Sequence, residues 1–159
     1  MGYEIERKFL VKGDFKSHAY KSYVIKQGYL SVSGSNLVRV RTKGEKAYVT
    51  IKTAALEDSI VRNEWEYEIP FADAEEMLEL CEGIISKTRY LVDVAKHTYE
   101  VDEFYGDNEG LLVAEIELDE ENESFDKPDW LGEEVSGNIR YYNSFLSLHP
   151  FNTWNSDKK

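Results

Sequence analysis

The sequence is poor in the features that would tie it to a membrane, an oxidising compartment or nucleic acid. Cys81 is its single cysteine among 159 residues, which excludes an intrachain disulfide and a thiolate metal cluster. It falls in an expected helix, where a thiol behaves as a small inert apolar group. No stretch approaches about 18 uninterrupted apolar residues, the length of a membrane-spanning helix, and the start has no apolar segment behind a basic one, as a secretory leader would. Gly2 does not open a myristoylation motif, because Glu6 stands where that motif needs Ser or Thr. Positive charge is scarce: 19 Lys and Arg against 31 Asp and Glu give a net charge of −12. Neither nucleic acid nor an anionic membrane surface is therefore an expected partner. Low-complexity segments and sequence repeats are also lacking, and a cytoplasmic protein is the expectation.

What is present is alternation. The length fits one domain over residues 1–159, and apolar and charged fractions of 42% and 31% are those of a globular chain. The first strand, Tyr3 to Val11, places Glu4, Glu6 and Lys8 on one face and Ile5, Phe9 and Val11 on the other, with Arg7 as the exception on the apolar face. Tyr23 to Ser33 carries Ile25, Gln27 and Tyr29 against Val24 and Leu30, and Gly34-Ser35-Asn36 supplies a turn. Leu37 to Lys43 sets Arg39, Arg41 and Lys43 against Val38 and Val40; a tight turn through Gly44-Glu45 leads to Ala47 to Lys52, with Tyr48, Thr50 and Lys52 on one face. Residues 53–62, including Glu57-Asp58-Ser59, read as an exposed loop. Glu64 to Ile69 alternates three carboxylates with Trp65, Tyr67 and Ile69. Further strands are expected over Ile85 to Val94, with Lys87 and Arg89, Thr98 to Tyr105, with Glu100 and Asp102, and Leu112 to Leu118, with Glu115 and Glu117. Asp14 is expected to cap a helical turn after Gly13. Asp73 is expected to cap a helix over Ala74 to Glu82, stopped by Gly83, and a second helix over Ile139 to His149 offers an apolar stripe. The tail Ser156 to Lys159 is expected to fray.

Two arrangements accommodate these charged faces. In one, a sheet turns all of them to water. In the other, the sheet closes into a barrel with charge inside and apolar groups outside, under helices. Bases and acids are segregated by strand, whereas solvated faces mix their signs. The other face is aromatic and β-branched, and it requires cover. A charged lumen is tenable only when wet and paired with its own opposite charges, with metal or with an ionic ligand. The predicted architecture is thus α+β and strand-dominated, a closed eight-stranded antiparallel barrel with helices outside, suited to a polyanion held with divalent cations. A membrane barrel is excluded because it needs export and strands of about 9–11 residues.

The first strand, Glu4-Ile5-Glu6-Arg7-Lys8, resembles the ExExK signature of the CYTH superfamily, the triphosphate tunnel metalloenzymes. Further matches follow in family order: Gln27-Gly28-Tyr29-Leu30, Val38-Arg39-Val40-Arg41, Thr50-Ile51-Lys52, Glu64 to Glu68, Lys87-Thr88-Arg89-Tyr90, Glu100-Val101-Asp102 and Glu115-Ile116-Glu117. The resemblance implies a tunnel that hydrolyses or cyclises triphosphates with Mg2+ or Mn2+, two ions per site. It implies Glu4, Glu6, Asp102, Glu115 and Glu117 as metal ligands, and Lys8, Arg39, Arg41, Lys52, Lys87 and Arg89 around the phosphates. Glu66 would hold the arginines or touch a metal. Tyr29 and Lys52 match a pair that positions substrate in related thiamine triphosphatases, and Glu115 or Glu117 would orient the attacking water. Arg140 either closes a tunnel mouth or is a solvated arginine at a helix start. Inorganic tripolyphosphate is the first expectation, because the chain carries no evident nucleotide-recognition insertion. Class IV adenylate cyclase, thiamine or nucleoside triphosphatase, and a non-catalytic polyphosphate binder are the alternatives. Oligomeric state is left open, a homodimer included.

Overall fold

A computed structural model of the chain describes residues 2–31, 36–53 and 60–154. The described residues form nine strands: β1 (Gly2–Val11), β2 (Lys21–Ser31), β3 (Asn36–Lys43), β4 (Lys46–Thr53), β5 (Val61–Ile69), β6 (Ile85–Val94), β7 (His97–Phe104), β8 (Leu112–Leu118) and β9 (Leu131–Glu134). The order is β5-β4-β3-β2-β6-β7-β8-β1-β9, and β5 also pairs with β1, so eight strands close on themselves and every pairing is antiparallel. β1 is the closing strand. Its Ile5–Leu10 segment pairs with β8, its Gly2–Ile5 segment pairs with β5, and Phe9–Val11 take β9 where β5 has diverged. Closure removes the exposed edges that an open sheet of this size would present.

The alternation fixes which side of each strand faces the lumen, since a slip of one residue would exchange the two faces. β3 and β4 are joined by a two-residue loop, where Lys43 pairs with Lys46 and Gly44 adopts φ 60°, a left-handed conformation that glycine takes without steric penalty. Outside the barrel, Ile5, Phe9, Tyr99, Val101 and Ile116 pack under Phe15, Trp130 and Leu131. A second outer cluster joins Val40 and Ala47 to Ala74 and Leu78 of helix α1 (Phe71–Leu78). A third, of Ile85, Phe104, Val113, Val135, Tyr141 and Leu146, gathers the C-terminal segment against β6, β7 and β8.

Several elements differ from the sequence expectation. β5 begins at Val61, so Val61, Arg62 and Asn63 are strand and not loop; β1 recruits them by pairing Ile5 with Val61 and Glu4 with Arg62. Helix α1 starts at Phe71, after Pro70 with φ −59°, and Asp73 lies in its first turn rather than capping it. No helix runs from 139 to 149: a 3-10 turn, Ile139–Tyr141, is separated from the four-residue α2 (Asn143–Leu146) by Tyr142 in extended conformation. Asn138 accepts the Arg140 N–H there, competing with helix continuation. β9 is a further strand outside the sequence expectation, and its Leu131 covers the outer wall together with Phe15 and Trp130. Asp14 does accept the Ser17 N–H, over the short 3-10 turn Lys16–His18. The expected Gly34-Ser35 turn, Glu57-Asp58-Ser59 and the tail Ser156–Lys159 lie outside the described residues. No described helix is long and apolar enough to cross a membrane.

Candidate active site

The lumen encloses a cavity of about 240 Å3 whose wall is almost wholly polar. Glu4, Glu6 and Lys8 come to it from β1, Tyr29 from β2, Arg39 and Arg41 from β3, Lys52 from β4, Glu66 from β5, Lys87 and Arg89 from β6, and Glu115 and Glu117 from β8. Residues up to 113 positions apart in sequence thus meet because alternate side chains of a closed barrel all point inward. Among the expected site residues, Asp102 alone is not on the cavity wall. It is 1% exposed, with Oδ1 accepting from Arg89 Nε at 2.8 Å and Oδ2 from Arg89 Nη2 at 2.9 Å and Lys87 Nζ at 2.8 Å. As it stands, Asp102 anchors the basic pair from behind. Arg140 is not on the wall either; its guanidinium lies 4.2 Å from the Trp154 ring centroid.

The cations are held by carboxylates in a fixed pattern. Lys8 Nζ donates to Glu115 Oε1 at 2.6 Å and lies 3.4 Å from Glu6. Lys52 bridges Glu4 at 3.1 Å and Glu64 at 3.2 Å. Glu66, which accepts from Thr50 Oγ1 at 2.8 Å, stands 3.5 Å from Arg39 and 3.7 Å from Arg41. Arg89 also meets Glu100 at 3.4 Å, and Lys87 donates to Asn143 Oδ1 at 2.9 Å. Among the described residues, three buried side-chain atoms have no partner: Arg39 Nε, Arg41 Nε and Gln27 Oε1. Buried donors without acceptors are costly, and two of them belong to neighbouring arginines facing the same cavity.

Crowding sets the protonation states. Burial, and then Glu115 beside it, raise Glu6 to about 8 against the pull of Lys8. Burial, with Glu4, Glu100 and Glu64 nearby, raises Glu117 to about 7. Burial disfavours the Glu115 carboxylate, yet Lys8, Arg89 and Lys87 outweigh it and hold Glu115 well below the usual range. Burial is also the main force on Lys87, pulled down to about 7 despite Asp102, with Arg89 acting the same way. Arg41, buried beside Arg39 and Arg89, is drawn down to about 9 and remains charged at neutral pH. The acidic side therefore has more negative charge than it can hold ionised, and the basic side retains cations that its carboxylates only partly satisfy.

No three described carboxylate, histidine or cysteine side chains are gathered closely enough to chelate an ion as they stand. The donor chemistry nevertheless fits a hard cation: the groups are all carboxylate oxygens, and Glu6 faces Glu117 across paired strands, with Lys8 and Glu115 two register pairs further on, the next pair on the same face. Directly opposed residues of this kind have Cβ atoms about 4.5–5.5 Å apart. Arg62, Tyr142 and Asn143 also line the cavity and were not among the expected site residues. Arg62 shares the even parity of Glu64 and Glu66, so extending that strand by one pair would have found it. Tyr142 and Asn143 carried no such signal, because a tertiary break in an expected helix places them.

The CYTH domain model matches residues 2–144 of the chain. An inorganic triphosphatase of Acetivibrio thermocellus is 48% identical over 153 residues, 95% of this chain and 97% of that protein. An inorganic triphosphatase of Nitrosomonas europaea is 33% identical over 150 residues, 91% and 97% of the two chains. The crystal structure of an inorganic triphosphatase superposes with a TM-score of 0.68 at 32% identity, covering 91% of this chain and 94% of that one. A Pyrococcus horikoshii protein, 21% identical with a TM-score of 0.58 over 75% of this chain and 80% of its own, shares the fold. With the family model spanning nearly all of the barrel and its charged lumen, the chain belongs to the CYTH domain family.

Proposed function

We propose that this protein is a divalent-metal-dependent triphosphatase that hydrolyses inorganic tripolyphosphate to pyrophosphate and phosphate. The observation that carries the reading is the cavity itself: about 240 Å3, ionic on nearly every side, with unpaired buried donors on Arg39 and Arg41. Pockets that enclose drug-sized organic ligands run to about 300–1,000 Å3 and are mostly apolar, so this one suits a bare polyphosphate better than a nucleotide with its base. The two relatives named as inorganic triphosphatases support the same choice. No observation favours the cyclase.

In this mechanism Arg39, Arg41, Lys52, Lys87 and Arg89 bind the phosphoryl oxygens, the arginines as two-pronged donors and the lysines as point charges. Glu66 and Asp102 keep those cations aimed into the lumen. Lys8, tied to Glu115, stands where charge develops on the transferred group, and stabilising that charge is the main catalytic lever in phosphoryl transfer. Glu4, Glu6, Glu115 and Glu117 would hold Mg2+ or Mn2+, two ions per site; when bound, such ions neutralise phosphate charge and acidify a coordinated water. Glu115 is locked to Lys8 and held low in the metal-free site, and Glu115 or Glu117 would orient the attacking water. Tyr29 lines the same wall as Lys52 and would position the substrate with it.

The test is product analysis with tripolyphosphate, ATP and thiamine triphosphate, each with Mg2+ and with Mn2+. Orthophosphate and pyrophosphate from tripolyphosphate, formed much faster than ATP is consumed, is the expected result. Cyclic AMP from ATP would make the protein a cyclase, and no turnover of any substrate would leave a binding protein.

A further inference from the structure

One buried cation on the cavity wall differs from the others. Arg62 of β5 is 6% exposed. Lys8, Arg39, Arg41, Lys52, Lys87 and Arg89 each have a carboxylate at 3.7 Å or less. Arg62 has none within ion-pair distance among the described residues. Its Nε donates to the Thr53 carbonyl at 3.2 Å, and its Cζ lies 5.2 Å from the ring centroid of Tyr142. Lys8 Nζ lies 4.9 Å from the same centroid. The ring thus serves two cations at once, a favourable contact for each that leaves both charges in place. The next residue, Asn143, holds Lys87, so two consecutive residues of the C-terminal segment touch three cavity cations. A buried cation without an ion-pair partner is unfavourable, and this one shares its cavity with Arg39 and Arg41, whose Nε atoms are buried and have no partner among the described residues.

We propose that Arg62 is a substrate-binding residue that takes a terminal phosphoryl group at the Tyr142 end of the cavity, with Tyr142 and Asn143 as the stop against which the phosphate chain ends. The inference rests on the triphosphatase reading for the identity of its ligand. Because no carboxylate among the described residues lies within ion-pair distance of Arg62, a phosphoryl oxygen gains its guanidinium without breaking an ion pair among those residues. Arg62 would then set which phosphorus of the chain lies over Lys8 and the carboxylates.

The experiment uses the full chain and the variants Arg62→Gln, which removes the charge but keeps an N–H for the Thr53 carbonyl, and Arg62→Lys, which keeps the charge. Two quantities are measured: KM and kcat for tripolyphosphate with Mg2+, and the rise in melting temperature produced by tripolyphosphate in EDTA. For Arg62→Gln the expected result is a KM raised roughly ten- to hundredfold, the loss of one charge-assisted hydrogen bond. Its kcat should change less, most of the tripolyphosphate-induced rise should be lost, and melting without ligand should match the parent. Arg62→Lys should recover part of both losses. Unchanged KM and stabilisation in Arg62→Gln would overturn the proposal. So would equal deficits in both variants with lowered melting without ligand, which is what a purely structural tie to Thr53 produces. If the parent binds tripolyphosphate without hydrolysing it, the triphosphatase reading fails while the stabilisation measurement still decides the role of Arg62; if the parent neither binds nor hydrolyses it, both fall.

Discussion

Asp102→Asn tests whether the acid behind the basic pair is an electrostatic anchor. Asp102 is 1% exposed and supplies both carboxylate oxygens to Lys87 and Arg89. Removing one partner of a buried ion pair destabilises by about 3–5 kcal/mol. Here the lower end is expected at pH 8, for two reasons. Arg89 keeps Glu100 at 3.4 Å, and Lys87, already drawn down to about 7, can shed its proton rather than remain an uncompensated charge. A loss of about 3 kcal/mol is roughly 6–12 °C in Tm for a domain of this size. The pH dependence follows from the same groups. Unfolded Lys87 titrates near 10.5, and its folded value is depressed, so its burial penalty is largest below the folded value and fades as pH rises towards 10.5. Without Asp102 that folded value falls further. Above about 7 Lys87 is neutral in both folded proteins, and the difference between them is the loss at Arg89 alone, whose guanidinium gives up its Asp102 partner; below about 7 the Lys87 charge that Asp102 stabilises in the parent adds to it. Asp102 itself is held below its usual 3.8, so its contribution is present above that value. The destabilisation should therefore grow as pH falls from 8 towards 5, read as a lower urea midpoint with unchanged slope. A loss under about 1 kcal/mol at pH 6, or one that shrinks on acidification, would refute the anchoring argument.

Lys8→Ala should lower kcat by roughly a hundredfold or more, the usual loss on removing a donor to transition-state charge, while far-UV circular dichroism stays native, because Arg89 and Lys87 still act on the Glu115 carboxylate and Glu6, at about 8, is already largely protonated at neutral pH. A folded variant with normal turnover would count against the mechanism. Glu6 and Glu117, at about 8 and 7, keep protons that the unfolded chain loses near 4.5, so metal-free stability should decline as pH rises from about 4.5 to 8. Metal binding to the ionised carboxylates should displace those protons: adding Mg2+ in weak buffer at pH 6.5 should acidify the solution, with the effect gone above pH 9, and no acidification at 6.5 would place the ion elsewhere. Gly83→Ala should destabilise by about 1–3 kcal/mol, because residue 83 has φ 71° and an added Cβ would run into the Ser147 carbonyl; a melting temperature equal to the parent's would contradict the close approach of these segments.

The barrel was legible because a lumen of ionisable groups imposes an unusual period-two signal. Glu4-Glu6-Lys8, Arg39-Arg41 and Glu115-Glu117 each occupy one parity, and closure of the sheet brings those parities to one cavity. That signal depends on having enough inward charges in a row to be recognised. It failed at Arg62, a single inward cation inside an expected loop, although β1 pairs with it as firmly as with Glu64. Nor could alternation tell Asp102 from its neighbours. On parity it belongs with Glu100, yet Arg89 directly opposite on β6 draws it out of the cavity, and which acid a cation captures is decided across strands, not along one. Tyr142 and Asn143 lay further still from the pattern, because the apolar spacing of 139–149 satisfies a helix as well as it does the broken segment. What breaks it is the polar demand of the barrel end, where Asn143 accepts from both Lys87 and Gln27 and Tyr142 lies over two cations. A half-buried amide accepting from two inward side chains is worth more than one further turn of a short helix, whose backbone groups can bond to water instead. The same charge pattern that makes the lumen readable therefore overrides local helix preference where the chain returns to meet it.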